Sequence, residues 1–552
     1  MHLYHLDLKV SMYKTEYIKK LFLKLKENGY DGIVVEIDNK LKFPSHPDFA
    51  AKDALDAETW KEIVLFAKEQ ALIIYPLIQT LGHMEHVLEG SSKYAHLAEN
   101  PGNPYMLCPS KPGTMRLAKD LVLDIIEVFD KPEYIHLGGD EVYGHMDSRG
   151  LNKCPICYTR DSGKQLNDFL VELAEFCVQQ GVSPELWADE VLANPENIER
   201  FPKETRFVDW YYARTERYND NAGLLWGAKD LIGRPIDEKF FEEVPDKLKC
   251  LLPFAIKETE SGRKFNNFYG AEYIVSKGYK ASIGSGVRFA GDCYVIPRIH
   301  IGSRNVGMSE IISKELGCAH LVTSWAVRLN HPETTWPSLR AISNISEVQI
   351  NSFTRDLALY EDNTAGLETA GETEKLIEHI GLPLGGIDME HILLLMDVSK
   401  GYHSIDILLE RNMRFERPFV DNYLKAIYEI STGKDRDNTV SQMEKRVESA
   451  RKILSHLNDN LNQGKGDRDC LMHWINGIEL VTLRTEQALA IIDSYKNGVD
   501  RDKIKDLLER NISLMKEFEE LWGESVTEYS LEQEKEIKFK RDIRMLENLL
   551  SS

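Results

Sequence analysis

The sequence predicts an α/β protein: a (β/α)8 barrel over residues 1–350, followed by an all-α C-terminal domain over residues 351–552. Three observations carry this. Eight short runs rich in β-branched and aromatic residues alternate with amphipathic helical stretches in the first 350 residues, the count and size of an eightfold barrel with insertions. Beyond residue 351 the strand-like runs vanish and long helical periodicities take over. No glycine-rich phosphate loop follows the first strand, which counts against a doubly wound open sheet.

In chain order the expected strands are HLYHLDLK (2–9), GIVVEI (32–37), LIIYPLIQ (72–79), EYIHLGG (133–139), PELWAD (184–189), RFVDWYY (206–212), KASIGSG (280–286) and LVTSWAV (321–327). Between the first two, TEYIKKLFLKLKENG (15–29) places Ile18, Leu21, Phe22 and Leu25 on one helical face and stops at Gly29. Past the barrel, stretches 391–416, 439–461 and 469–498 read as long helices, with polar connectors near 364–374 and 462–469. This helical tail suits a stabilising cap, a cover for one side of the site or a homodimer face.

Composition narrows the function. With 42% hydrophobic residues in 552, the chain can bury a large core. A formal charge of −21 argues against a nucleic-acid partner or an anionic membrane, both of which would be repelled at long range. No run of eighteen apolar residues occurs, and the opening MHLYHLDLKV lacks a basic segment followed by an apolar one, so a cytoplasmic location is expected. Eight cysteines are too sparse for a disulfide framework. Cys154 and Cys157, in CPIC, form half of a zinc knuckle, but a second pair of ligands is not evident nearby, and reduced loop thiols are the expectation. No cofactor is expected.

A barrel collects its site at the C-terminal strand ends. Those positions hold Asp7 and Lys9, Glu36 and Asp38, Gln79, His83 and Glu85, Asp140 and Glu141, Trp187 and Asp189, Trp210 to Tyr212, Ser285 and Arg288, and Trp325 and Arg328. Aromatic faces pack on the C–H faces of sugars, while carboxylates and guanidinium groups bind hydroxyls, so the mixture suits a carbohydrate. Each tryptophan taken alone also fits a packing role.

The adjacent acids of YIHLGGDEVYGHM (134–146) are informative. Most glycosidases place two carboxyl groups on opposite sides of the bond, which sequence neighbours at one strand end cannot readily do. One could be a proton donor with its pKa raised by the other. A substrate with a 2-acetamido group supplies its own nucleophilic carbonyl oxygen, leaving the second acid to hold the amide nitrogen. An acidic loop, or a metal site recruiting His83, Glu85 and His136, is the alternative.

HLGGDEV (136–142) resembles the His-x-Gly-Gly-Asp-Glu signature of glycoside hydrolase family 20, the β-N-acetylhexosaminidases. HLDLK (5–9), PLIQTLGHMEHVL (76–88), HLGGDEVY (136–143) and TSWAVRLNH (323–331) resemble, in order and spacing, its hexosaminidase D-like branch. The resemblance implies an exo-acting, retaining, substrate-assisted hydrolase of terminal β-linked N-acetylglucosamine or N-acetylgalactosamine. It makes Glu141 the general acid/base, Asp140 the residue that orients the acetamido group, and Trp187, Trp210 and Trp325 the walls of the sugar pocket. Tyr212 matches the acetamide-binding tyrosine, with Tyr211 and Tyr294 as alternatives. His83 and His136 match histidines near the pair, and Glu36, Asp189 and Arg328 are placed to bind hydroxyls or to form salt bridges at the rim. One departure stands out: the family arginine five residues before Asp7 is here His2, which lacks a bidentate guanidinium, so Arg288 or Arg328 takes over or the sugar preference changes. A relative selective for N-acetylgalactosamine or a modified sugar, and a catalytically silent sugar-binding or scaffolding protein, are the competing readings.

Overall fold

A computed structural model describes residues 1–142, 154–157, 162–289, 296–326, 330–343, 345–361, 371–372, 375–376, 427–434 and 436–551. Eight parallel strands close into a barrel: β1 (His2–Asp7), β2 (Gly32–Glu36), β3 (Ile73–Leu77), β4 (Tyr134–His136), β5 (Ser183–Trp187), β6 (Arg206–Trp210), β7 (Lys280–Arg288) and β8 (Ala319–Ser324). Each strand pairs with its neighbours in sequence, and β1 closes on β8 with His2 opposite His320 and Tyr4 opposite Val322. These are the eight runs expected from the sequence.

The strands form for a common reason. β2 is GIVVE with every residue buried, as a parallel strand covered on both faces must be. Its first residue has to be glycine, because a Cβ there would sit 2.5 Å from the Ile73 carbonyl oxygen on β3. Helix α1 (Thr15–Glu27) is followed by Gly29 at φ 87°, and α2 (Ala57–Glu69) is capped by Asp56, whose side chain accepts from the Thr59 N–H at 2.9 Å. Inside the barrel, Arg206 donates to Glu185 at 2.6 Å and to the Tyr75 hydroxyl at 2.7 Å, and Tyr75 donates to Glu185 at 2.9 Å. Burial works against charge on Glu185, but the Arg206 guanidinium prevails and holds the carboxyl below its usual range.

Two insertions shape the top of the barrel. After β3 comes an antiparallel pair of short strands, Ala98–Asn100 and Asn103–Leu107, leading into α3 (Pro112–Val128). After β4 the chain reaches Cys154–Cys157 before entering α4 (Ser162–Gln179).

The chain divides into two compact units that do not meet at one point in the sequence: Met1–Lys9, Ile18–Ser285 and Met308–Thr323 form one, and Val10–Tyr17, Gly286–Gly307 and Ser324–Ser552 the other. In the second, α5 (Arg436–Asn462) packs on α6 (Arg468–Asn497), and α6 on α7 (Arg501–Gly523). Helix α6 is buried on nearly every face through its middle; Trp474 donates to the Thr334 carbonyl at 3.1 Å, and Arg484 pairs with Asp542 at 2.8 Å. The helix expected over 391–416 lies outside the described residues. No described helix is long and apolar enough to cross a membrane.

Candidate active site

The turn after β4 is built to project two acids. Gly138 and Gly139 take φ of 66° and 83°, and a Cβ on Gly138 would lie 2.0 Å from the Gln79 side-chain oxygen. Glu141 itself holds φ 52° and His83 φ 54°, a left-handed backbone uncommon for residues with side chains. Gly82 lets the two loops touch, since a Cβ there would meet Val142 at 2.5 Å.

His83 joins the pair. Its Nε2 lies 3.3 Å from Asp140 Oδ2 and 3.4 Å from Glu141 Oε2. Burial opposes a charge on the ring, but the Asp140 carboxylate and hydrogen bonds to both acids outweigh it and push the His83 pKa up to about 10. The imidazolium therefore donates to the acids, and the Tyr105 hydroxyl, 3.1 Å from the same nitrogen, donates in turn to the Glu141 carbonyl at 3.4 Å. The side chain of Glu141 is 22% exposed and that of Asp140 8%. Asp140 Oδ1 is buried and makes no hydrogen bond among the described residues.

Asp189 acts on the pair through the backbone. Its Oδ2 accepts from the Glu141 N–H at 2.9 Å and its Oδ1 from Trp210 Nε1 at 3.3 Å. Burial, then the nearby Asp140 charge, pushes its carboxyl up to about 8. The hydrogen bonds to Glu141 and Trp210 make it a positioning residue that ties the acid turn to the aromatic wall. That wall contains Trp187 and Trp210, with ring centroids 6.4 Å apart, and Tyr212, 5.4 Å from Trp210. Trp226, its ring centroid 4.9 Å from that of Trp210 and tilted by 52°, extends it and is absent from the sequence-derived set, because it follows no strand. Tyr105 is missed for the same reason: it sits in the hairpin insertion.

His136 is fully buried, 4.5 Å from the Trp187 ring, with Nδ1 accepting from the Gly138 N–H at 3.1 Å. Burial drops its pKa to about 4, so it is a neutral brace for the glycine turn. Glu36 accepts from His5 at 2.8 Å, Lys9 at 3.1 Å and Gln79 at 3.1 Å. Burial opposes its charge, but Lys9 and these hydrogen bonds hold its carboxyl well below the usual range. Lys9 also faces Asp38 at 3.7 Å, so the ammonium sits between two buried carboxyls.

His2 is not at this end of the barrel. It opens β1 and bonds the Gly29 carbonyl at 3.1 Å and Glu310 at 2.9 Å, five residues from Asp7 and hence ~16 Å along the strand. His2, expected to bind substrate, is thus placed at the opposite rim, because counting back along a strand reaches its other end. Arg288, one candidate to replace the missing arginine, spends its guanidinium on Ser324 Oγ at 2.6 Å, the Ser324 carbonyl at 3.0 Å and the Asn330 carbonyl at 2.7 Å. Trp325 belongs to the second unit, where its backbone N–H donates to the Arg288 carbonyl at 3.2 Å. Arg328 and Tyr294 lie outside the described residues.

The family model "Glycosyl hydrolase family 20, catalytic domain" matches residues 44–223, which include His83, Asp140, Glu141, Asp189 and Trp210, and the family resemblance holds over that stretch. More particularly, the chain is similar to hexosaminidase D of Bos taurus, 34% identical over 144 residues that make up 26% of this chain and 41% of the relative. Hexosaminidase D of Homo sapiens is 32% identical over 144 residues, 26% of this chain and 29% of the relative. The match thus spans less than half the length of either. Among solved structures, the β-N-acetylhexosaminidase of Bacteroides fragilis NCTC 9343 aligns with a TM-score of 0.43 at 15% identity over 67% of this chain and 73% of its own. The chitobiase of Flavobacterium johnsoniae aligns with a TM-score of 0.44 at 16% identity over 97% and 77%.

Proposed function

We propose that this chain is an exo-acting, retaining β-N-acetylhexosaminidase that uses the substrate's acetamido group as nucleophile. The observation that carries the reading is the Asp140–Glu141 pair facing one His83 cation, with Asp140 Oδ1 buried and unbonded among the described residues. A buried acceptor without a partner is costly unless something supplies a donor, and an acetamide N–H would supply it. Glu141, the more exposed of the two, is suited to reach the glycosidic oxygen and then a water molecule.

In this reading Glu141 protonates the leaving oxygen while the acetamido carbonyl oxygen attacks the anomeric carbon. Asp140 stabilises the charge that develops on the amide nitrogen, and Glu141 then takes a proton from the water that opens the oxazoline-type ring, giving retention. The His83 cation faces both carboxyl groups and offsets the negative charge gathered there. Trp187 and Trp210 would wall the sugar and Tyr212 would donate to the acetamido oxygen. Because His2 is remote, this reading gives the contacts with hydroxyls to Lys9, Glu36 and Asp38, three among the described polar groups at strand ends.

Release of p-nitrophenol from the β-N-acetylglucosaminide and the β-N-acetylgalactosaminide, with the β-glucoside and β-galactoside as controls, tests this. Turnover of the acetamido sugars alone is expected. Glu141→Gln should lower turnover by about 10²–10⁴-fold, the range for losing a general acid. Asp140→Asn should stay slow even with an activated leaving group, and rescue there would sink the amide-holding role. Turnover of none of the four would favour a silent or modified-sugar protein.

A further inference from the structure

Away from the acid pair, four ligand-bearing side chains from two insertions meet at one buried point. Glu99 and Cys108 come from the hairpin after β3, Cys154 and Cys157 from the segment after β4. Cys108 Sγ lies 3.4 Å from Cys154 Sγ and 3.3 Å from Cys157 Sγ, and Cys157 Sγ lies 3.3 Å from Glu99 Oε2. All four residues are buried, and one ligand atom from each lies within 4.8 Å of the others. We propose that Glu99, Cys108, Cys154 and Cys157 form a tetrahedral zinc site with a structural role.

The dimensions fit. With Zn–S near 2.3 Å and Zn–O near 2.0 Å, tetrahedral geometry sets sulfur–sulfur edges of roughly 3.8 Å and a sulfur–oxygen edge of roughly 3.5 Å. The observed separations fall short by a few tenths of an ångström, so the cage opens slightly around the ion. A disulfide does not explain the cluster: its sulfurs would be about 2.0 Å apart, and one of three thiols would be left over. The C-x-x-C spacing of CPIC is that of a zinc knuckle, and Cys108 with Glu99 are the second pair that the local sequence lacks.

The groups around the sulfurs are donors. The Cys157 N–H points at Cys154 Sγ at 3.3 Å, the Gln165 amide at Cys157 Sγ at 3.2 Å, and the Cys154 N–H at Glu99 Oε1 at 3.1 Å. Donors aimed at sulfur suit thiolates, and such outer contacts fix ligands in metal sites. On loading, three S–H groups release their protons to solvent and four electron pairs go to the ion. Three thiolates, one carboxylate and Zn²⁺ leave a formal charge of −2, the same as a four-cysteine zinc site. A sulfur-rich set with one oxygen favours zinc over calcium or magnesium.

The consequence is mechanical. The same hairpin carries Tyr105, which touches His83 and the Glu141 carbonyl. A bound ion would staple this hairpin to the segment that follows the catalytic turn.

The test is elemental analysis of the full chain, purified without chelators and then reloaded with zinc. About one zinc per chain is expected. Cys108→Ser and Cys157→Ser should each lose it, Glu99→Gln should surrender it faster to a chromophoric chelator, and Glu141→Gln should retain it. Should the cysteine variants fail to fold, the unmodified protein loaded with Co²⁺ should show the thiolate charge-transfer and intense d–d bands of a tetrahedral sulfur site. No stoichiometric zinc after reloading, full zinc in the Cys108→Ser/Cys157→Ser variant, iron in its place, or a cobalt spectrum without thiolate bands would each overturn the assignment.

Discussion

At the scale of single residues, the site is a problem of sharing charge among three groups in a small volume. His83 is held as a cation by Asp140 and Glu141, against the pull of burial. A histidine whose folded-state pKa lies above its unfolded one stabilises the fold fully below about pH 6.5 and loses that contribution as pH rises towards about 10. The melting temperature of His83→Gln should therefore fall furthest below wild type near pH 6 and converge on it by pH 10; a gap independent of pH would mean the ring does not titrate as described. Asp189 shows the limit of residue-by-residue inference. Its type and strand-end position are legible in the sequence, but its partners, the Glu141 N–H and Trp210 Nε1, are set by how the β4, β5 and β6 ends meet.

At the scale of elements, the turn after β4 ties two loops into one device. Gly138 is required twice over, by its φ of 66° and by Gln79, whose side-chain oxygen occupies the space a Cβ would take. Gly138→Ala should cost about 1–3 kcal/mol or more in denaturant unfolding, and should depress turnover further by displacing Asp140. Legibility follows burial here. Parallel barrel strands are covered on both faces and read as short, largely apolar runs, most plainly in GIVVE of β2, so the set can be found from pattern even though β1 and β7 carry polar residues. The hairpin carrying Glu99, Tyr105 and Cys108 has no such pattern; its partners lie 22 to 58 residues away in sequence. His2 fails for a related reason: spacing along a strand fixes distance but says nothing of which rim holds the chemistry.

At the scale of the whole molecule, the protein is two compact units, each with its own buried polar framework. In the helical unit Arg484 and Asp542 are 5% and 2% exposed and pair at 2.8 Å. Asp542→Asn would leave the guanidinium buried without its counter-ion, a loss of roughly 3–5 kcal/mol in general. The lower end is expected, because Arg484 keeps a 2.7 Å bond to the Lys538 carbonyl. Unfolding followed by circular dichroism should show that loss in the helical signal. In the barrel unit, Trp187, Trp210 and Trp226 form a chain of indoles with centroid steps of 6.4 and 4.9 Å, beside an ionisable Asp189. Such closely coupled rings share excitation, so the barrel carries its own optical reporter at the proposed sugar site. Emission from these rings gives occupancy a signal of its own, independent of bond cleavage, and lets affinity be followed in a variant that turns nothing over.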